Sequence, residues 1–363
     1  MLVEMSIATL LRQNPFESPA VPMKGKIHWA DRKQLLSSIV SFIRGQPEKW
    51  TELWVLLGEY GSGKTHSLTY ARRICEEEGI PAVLLPNPGS SFTDVQVNVA
   101  QSIGFDTLVS SCRDLLERDK AILMRQLEQE KSGPLTPEAL STEKLLRYLF
   151  PNMDLNLAMI LNQLMSNRNV DLCKTWLLGK TMTSGELGRL NVSSAIASDD
   201  YAVRVMADIV QIIVSRFGKF VLLIDEMEDI GSMSRARAIS FSKAMRRFID
   251  ENVAGCKVIL SFTGQGFNQF LKGSGAFLGK KYPALAERLE PRLELKNLTV
   301  EETQQFIEDF VSSVYEGPIE KILTPKAIRE IQKRTDGNPR AIISTCRALF
   351  ADAISKGRFP IAV

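Results

Sequence analysis

Apolar positions in this 363-residue chain fall into two rhythms, short unbroken runs and stripes at helical spacing, and their order predicts an α/β core. Residues 53–57 (Leu-Trp-Val-Leu-Leu) form an unbroken run of the kind a buried parallel strand needs. They enter a glycine-containing turn and then a helical segment over 64–78, which Gly79 closes as a C-cap. A second strand is expected over 80–85 and a helix over about 92–103, the alternation that builds a parallel sheet. Sheet-like sequence returns at 220–224, after an apolar-striped helix over 201–217, and again at 257–262.

The remaining stretches frame this core. Asn14-Pro15-Phe16 through Pro22 is punctuated by proline and reads as an extended arm; residues 31–43 turn helical, with Leu35, Leu36, Ile39, Val40 and Ile43 on the apolar side. From about 105 to 200 the pattern changes to charged helical stretches broken at Ser132-Gly133-Pro134-Leu135-Thr136-Pro137, which reads as a helical insertion. From Leu298 onward every segment is helical, with Thr299 and Glu302 spaced as a capping box and Thr324-Pro325 opening a later helix. The expected organisation is an arm over 1–30, an α/β domain over 31–297 carrying the insertion, and a small all-α lid over 298–363.

Composition narrows the chemistry. A formal charge of +3 is mildly basic, well short of a dedicated nucleic-acid coat, although a local basic face is compatible with it. The five cysteines stand singly and only two histidines are present, which removes most zinc and disulfide readings and fits reduced thiols in the cytoplasm. No stretch approaches the roughly 18 apolar residues a membrane span needs, and residues 1–13 lack the form of a signal peptide.

Two motifs carry the chemistry. Gly58-Glu59-Tyr60-Gly61-Ser62-Gly63-Lys64-Thr65 fits G-x-x-x-x-G-K-[ST], placed as the motif requires, after a buried strand and at a helix start that continues into His66. Glycines let several backbone N–H groups turn toward phosphate oxygens, the helix N-terminus adds its positive end, and Lys64 would reach the β- and γ-phosphates. The Thr65 hydroxyl suits Mg²⁺, a hard ion that takes few protein ligands when it also binds a nucleotide. The second motif is the apolar strand ending in Asp225-Glu226, which sets two carboxylates at the edge where ligands sit in open α/β sheets. Asp225 is expected to hold the Mg²⁺ shell and Glu226 to orient the attacking water, a division of labour that phosphoryl transfer needs because its catalysis is mostly positioning.

Together these motifs resemble the AAA+ ATPase superfamily, closer to its origin-recognition and Cdc6-like initiator branch than to the unfoldases, over about 14–104 and 201–350. The resemblance implies a P-loop fold with a parallel sheet and a helical lid, ATP and Mg²⁺ as cofactors, and assembly into a homo-oligomeric ring or spiral. It also assigns residues. The family places a polar sensor after the strand that follows the Asp-Glu strand, where Thr263 stands, with Gln265 as a substitute; the plainer alternative is that Thr263 caps the loop at Gly264. Ala284-Leu285-Ala286-Glu287-Arg288-Leu289 resembles the arginine-finger box, with Arg288 first and Arg292 next, against the alternative of a surface arginine. Asp336-Gly337-Asn338-Pro339-Arg340 resembles the second sensor, in which Arg340 reaches the nucleotide; read structurally it is a helix–helix turn with proline at the first helical position and Arg340 solvated. Asp31-Arg32 resembles the box near the adenine.

The insertion departs from the family pattern, and inside it Trp176-Leu177-Leu178-Gly179 and Gly185-Glu186-Leu187-Gly188 are similar to ATPases of bacterial BREX-type phage-defence systems. A basic segment over 234–247, with Lys272, Lys280 and Lys281, would lie near the channel of a ring and could track a DNA backbone, or it is simply a solvated face balanced by Asp229, Asp250 and Glu251. The resemblance therefore implies an oligomeric ATPase loading onto DNA in phage defence, mobile-element control or replication; transposon-regulator ATPases are also similar. The alternative is an ATP-gated scaffold that recruits an effector such as a nuclease or transposase.

Overall fold

The computed structural model describes residues 14–17, 33–130, 142–272, 289 and 291–362. Its centre is a five-stranded, all-parallel sheet: β1 (Glu52–Gly58), β2 (Ala82–Leu85), β3 (Phe220–Ile224), β4 (Cys256–Phe262) and β5 (Pro291–Leu295), in the order β2-β3-β4-β1-β5. The central strands are mostly apolar because helices cover both faces of the sheet. Side-chain alternation divides them: Val55, Leu222, Ile224, Val258 and Leu260 enter the larger core on one face. Leu56, Val221, Leu223 and Ile259 enter a smaller one on the other, against helices α1 (Lys33–Arg44) and α2 (Lys64–Glu77).

The larger face is covered by α3 (Phe92–Ile103), α9 (Asp199–Phe217) and α10 (Arg235–Asp250). Between α3 and α9 lie α4 (Phe105–Glu130), α5 (Thr142–Leu149), α6 (Leu155–Met165), α7 (Val170–Leu177) and α8 (Ser184–Leu190), the stretch expected as an insertion. These helices share the main core: Leu157, Leu161, Cys173 and Trp176 are fully buried in the same cluster as Val203, Val210 and Ile213 of α9. Trp176 donates its indole N–H to Ser194 O at 2.8 Å, and Gln96 of α3 donates to Leu177 O at 3.0 Å. The Trp176 and Gly179 segment singled out by sequence thus has a packing role, Gly179 adopting φ +59° against Thr93.

The strand β5 escaped the hydrophobic pattern. It is a short edge strand with proline at its first position, where a missing N–H is tolerated. It follows α11 (Gly264–Lys272).

The lid contains α12 (Val300–Val311), α13 (Pro325–Thr335) and α14 (Pro339–Lys356) around a separate core. Thr299 and Glu302 form the expected capping box, and Thr324 caps α13 through Ala327 N. Phe16 of the arm belongs to this core. Phe16 is 0% exposed, its ring 5.0 Å from that of Phe310 and 5.1 Å from that of Phe350. Asn14 donates to Arg347 O, and the Arg347 guanidinium donates to Phe16 O at 2.8 Å.

Candidate nucleotide site

Strand order assembles the site. Because β4 lies between β1 and β3, the C-terminal ends of all three converge, and the glycine-rich loop after β1 faces the carboxylates after β3 across the end of β4. The pairing of Ile224 with Leu260 sets Asp225 beside Ser261.

Asp225, 2% exposed, accepts from three donors: the Thr65 hydroxyl on Oδ2, the Ser261 hydroxyl on Oδ1, and Glu226 N–H on Oδ1 at 3.0 Å. Such satisfaction is what a buried carboxylate requires. Its backbone N–H binds Leu85 O at 2.9 Å, tying the turn to β2. Glu226 follows in the left-handed conformation at φ 48°, ψ 44°, uncommon for a residue with a side chain, which turns its carboxylate out of the strand line. Burial pushes its pKa up, and the neighbouring Asp225, Asp229 and Glu228 add to the rise while Lys64 opposes it.

Gly61 and Gly63 of the loop stand at φ +80° and +102°, and Gly63 leads into the first turn of α2. Lys64 is 7% exposed and donates to Gly58 O at 2.9 Å and Glu59 O at 3.3 Å. Burial lowers its pKa, while Glu228, Asp225, Glu59 and Glu226 act in the opposite sense. Ser62 is buried, Thr65 is exposed on the first turn of α2, and His66 behind it is half-buried. A Cβ at Gly58 would lie 2.4 Å from Ser62 Oγ and 2.8 Å from Leu295 Cβ, so β5 closes one side of the loop.

Thr65 and Asp225 supply a hydroxyl and a carboxylate in direct contact, an oxygen donor pair suited to Mg²⁺. Among the described residues no group of three or more His, Cys, Asp or Glu could hold a metal ion.

Thr263 occupies the loop after β4. Its hydroxyl accepts from Gly266 N at 3.0 Å in the first turn of α11, the capping arrangement, and its N–H donates to Glu228 at 3.1 Å. The polar side chain of β4 that touches Asp225 is Ser261. Gln265 is exposed.

The lid turn reaches the loop directly. Asp336 and Gly337 are both left-handed, and Gly337 O accepts from Leu298 N at 2.8 Å where the lid begins. Asn338 then donates to Tyr60 O at 2.7 Å, Arg340 N–H donates to Gly61 O at 3.3 Å, and the Arg340 guanidinium lies 4.4 Å from the centre of the Tyr60 ring. Arg32, Lys280, Lys281 and Arg288 lie outside the described residues, as do the side chains of Lys272 and Arg292.

In the basic segment, Arg246 pairs with Asp250 and Arg247 with Asp200 at 3.2 Å, while Arg235, Arg237 and Lys243 are exposed on α10. The five cysteines are all buried, and burial pushes their thiols up, to about 12 for Cys75, so none is an activated nucleophile. No helix among the described residues is long and apolar enough to cross a membrane.

Asn338, Ser261 and Glu228 are the site residues that sequence reasoning did not single out. Each acts through a partner remote in sequence; Asn338 lay inside the Asp336–Arg340 motif, where the reading fell on Arg340.

No family model and no curated protein sequence matches this chain. Among solved structures, the chain is similar to the ORC2 protein of Aeropyrum pernix, described in ADPNP–ADP complexes, with 10% identity and a TM-score of 0.44 over 96% of this chain and 69% of that one. It is similar to a chain of Drosophila ORC bound to DNA, with 11% identity and a TM-score of 0.47 over 100% and 64%. It is likewise similar to Cdc6p from Pyrobaculum aerophilum, with 13% identity and a TM-score of 0.44 over 96% and 67%. The chain spans about two thirds of the length of each of these structural neighbours, which are proteins of the origin-recognition and Cdc6 kind.

Proposed function

We propose that this chain is a Mg²⁺-dependent ATPase. The observation that carries the proposal is the direct contact of Thr65 with Asp225, which joins the phosphate loop to the acidic strand end at the point where a nucleotide-bound cation would sit. Thr65 and Asp225 would hold Mg²⁺, which would supply positive charge against the phosphates. Lys64 would release its two carbonyl partners to meet the β- and γ-phosphates, and Glu226, turned out at the end of β3, would orient the attacking water.

The same reading makes Arg340 the lid's contact to the nucleotide and Arg288 a residue acting across a subunit interface, in a homo-oligomeric ring or spiral. An arginine supplied in trans is worth about 10³ to 10⁵ in rate, so turnover would depend on assembly. We extend the proposal to DNA as the surface on which the assembly acts, supported by the exposed Arg235, Arg237 and Lys243 on α10. The biological setting would be phage defence, mobile-element control or replication.

ATP hydrolysis measured across protein concentration, with and without DNA, at two salt concentrations, tests the assembly and DNA parts. A rate per subunit that rises with concentration and is raised by DNA in a salt-sensitive way supports both. Nucleotide binding with no stimulated turnover supports the ATP-gated scaffold that recruits an effector.

A further inference from the structure

We propose that Asn338 is a positioning residue for the phosphate loop: the lid, through this side chain, orients the backbone amides that receive the nucleotide's phosphates. The proposal rests on the reading of 58–65 as a nucleotide loop.

The two halves of the Asn338 amide do different work. Its Oδ1 accepts from Ala341 N at 3.2 Å and so caps α14. Its Nδ2 crosses 278 residues of sequence to donate to Tyr60 O at 2.7 Å. Two residues further along the lid helix and one further along the loop, Arg340 N–H donates to Gly61 O at 3.3 Å. Two successive carbonyls of the loop are therefore held by the first turn of a lid helix.

Peptide planarity converts this into control of the donors. In a trans peptide the C=O and the next N–H lie antiparallel in one plane, so fixing the Tyr60 carbonyl fixes the direction of Gly61 N–H. Glycine-rich loops bind phosphate through such backbone N–H groups, and Gly61, at φ +80°, has a soft backbone that would otherwise reorient. The approach is close enough to exclude a side chain at this position: a Cβ on Gly61 would lie 2.7 Å from Asn338 Oδ1 and 2.9 Å from Arg340 Cβ. The lid turn is itself anchored. Gly337 has no room for a Cβ, which would fall 2.1 Å from Leu298 O, so the position of Asn338 is tied to the junction where the lid leaves the sheet domain.

Loop amides cradle the phosphates common to ADP and ATP, so Asn338 should act on both nucleotides alike, whereas a guanidinium on the γ-phosphate would favour ATP. Asn338→Ser separates the two jobs. Serine keeps a good helix cap, adds no charge, and is too short to reach Tyr60 O. Asn338→Asp also keeps the cap and replaces the donor with an acceptor that repels the carbonyl. The experiment is equilibrium binding of Mg-ADP and Mg-ATP to the full chain, with thermal melting alongside. We expect Asn338→Ser to weaken both nucleotides by about fivefold, the scale of one net hydrogen bond, with the ATP-to-ADP ratio unchanged and the melting temperature lowered by only a few degrees. Asn338→Asp should weaken both further. Affinities for both nucleotides within twofold of wild type in Asn338→Ser overturn the proposal, and so does a loss confined to ATP. If the wild-type chain binds neither nucleotide, the reading of the loop fails, and the proposal with it.

Discussion

Around Asp225 three donors meet one buried carboxylate, and removing any of them tests what the arrangement is worth. Ser261→Ala leaves Asp225 Oδ1 with only the Glu226 N–H, and the expected cost is about 1–3 kcal/mol of stability, read from denaturant unfolding. Lys64→Ala removes the cation facing Glu59, Asp225, Glu226 and Glu228, and ATP binding should be lost in an equilibrium titration. The glycine loop and the Asp225-Glu226 pair were legible in the sequence because each is contiguous and chemically distinctive. Ser261 was not, because its role depends on the register of β4 against β3, and alternation alone does not reveal which strand lies beside which. Thr263 stands in the anticipated loop, and its hydroxyl closes the first turn of α11, the capping role that the sequence also allowed.

Among the elements, α9 carries the clearest titration. Asp208 accepts from Asp154 N at 2.9 Å, and burial pushes its pKa up to about 7; the Asp154 and Glu251 carboxylates add to the rise, and Arg204 with the Asp154 N–H opposes it. A raised carboxyl pKa means that the folded chain binds a proton the unfolded chain has released. The associated stability is full below the ordinary value of 3.8 and is lost as pH rises through about 7. Asp208→Asn keeps an acceptor for Asp154 N and cannot ionise, so it should gain about 4 kcal/mol over wild type at pH 8 and little at pH 4, as measured by urea unfolding at the two pH values. The strands and their flanking helices were readable from apolar runs and stripes. The region between α3 and α9 was read as an insertion because its charge broke the α/β rhythm, yet Leu157, Cys173 and Trp176 bury it in the main core. Periodicity identifies a helix and its apolar side, and leaves open which core that side joins.

For the whole molecule, the lid core includes a residue from the opposite end of the chain. Phe16 is enclosed by Phe310 and Phe350, so Phe16→Ala should cost about 3–5 kcal/mol in the lid's unfolding transition and leave the sheet domain's transition in place, as followed by hydrogen exchange. The proline-punctuated arm gave no sign of this, since an extended segment carries no periodicity to say where it docks. The lid in turn rests on the phosphate loop through Asn338 and Arg340, so arm, lid and loop form one mechanical series. On the proposed reading the lid and loop border an ATP-hydrolysing site, and the decisive measurement is single-turnover hydrolysis of Mg-ATP by wild type and Glu226→Gln. Bound ATP should convert to ADP in wild type and persist in Glu226→Gln with binding retained; equal conversion by both proteins would contradict the assignment of Glu226 and, with it, the catalytic reading of the site.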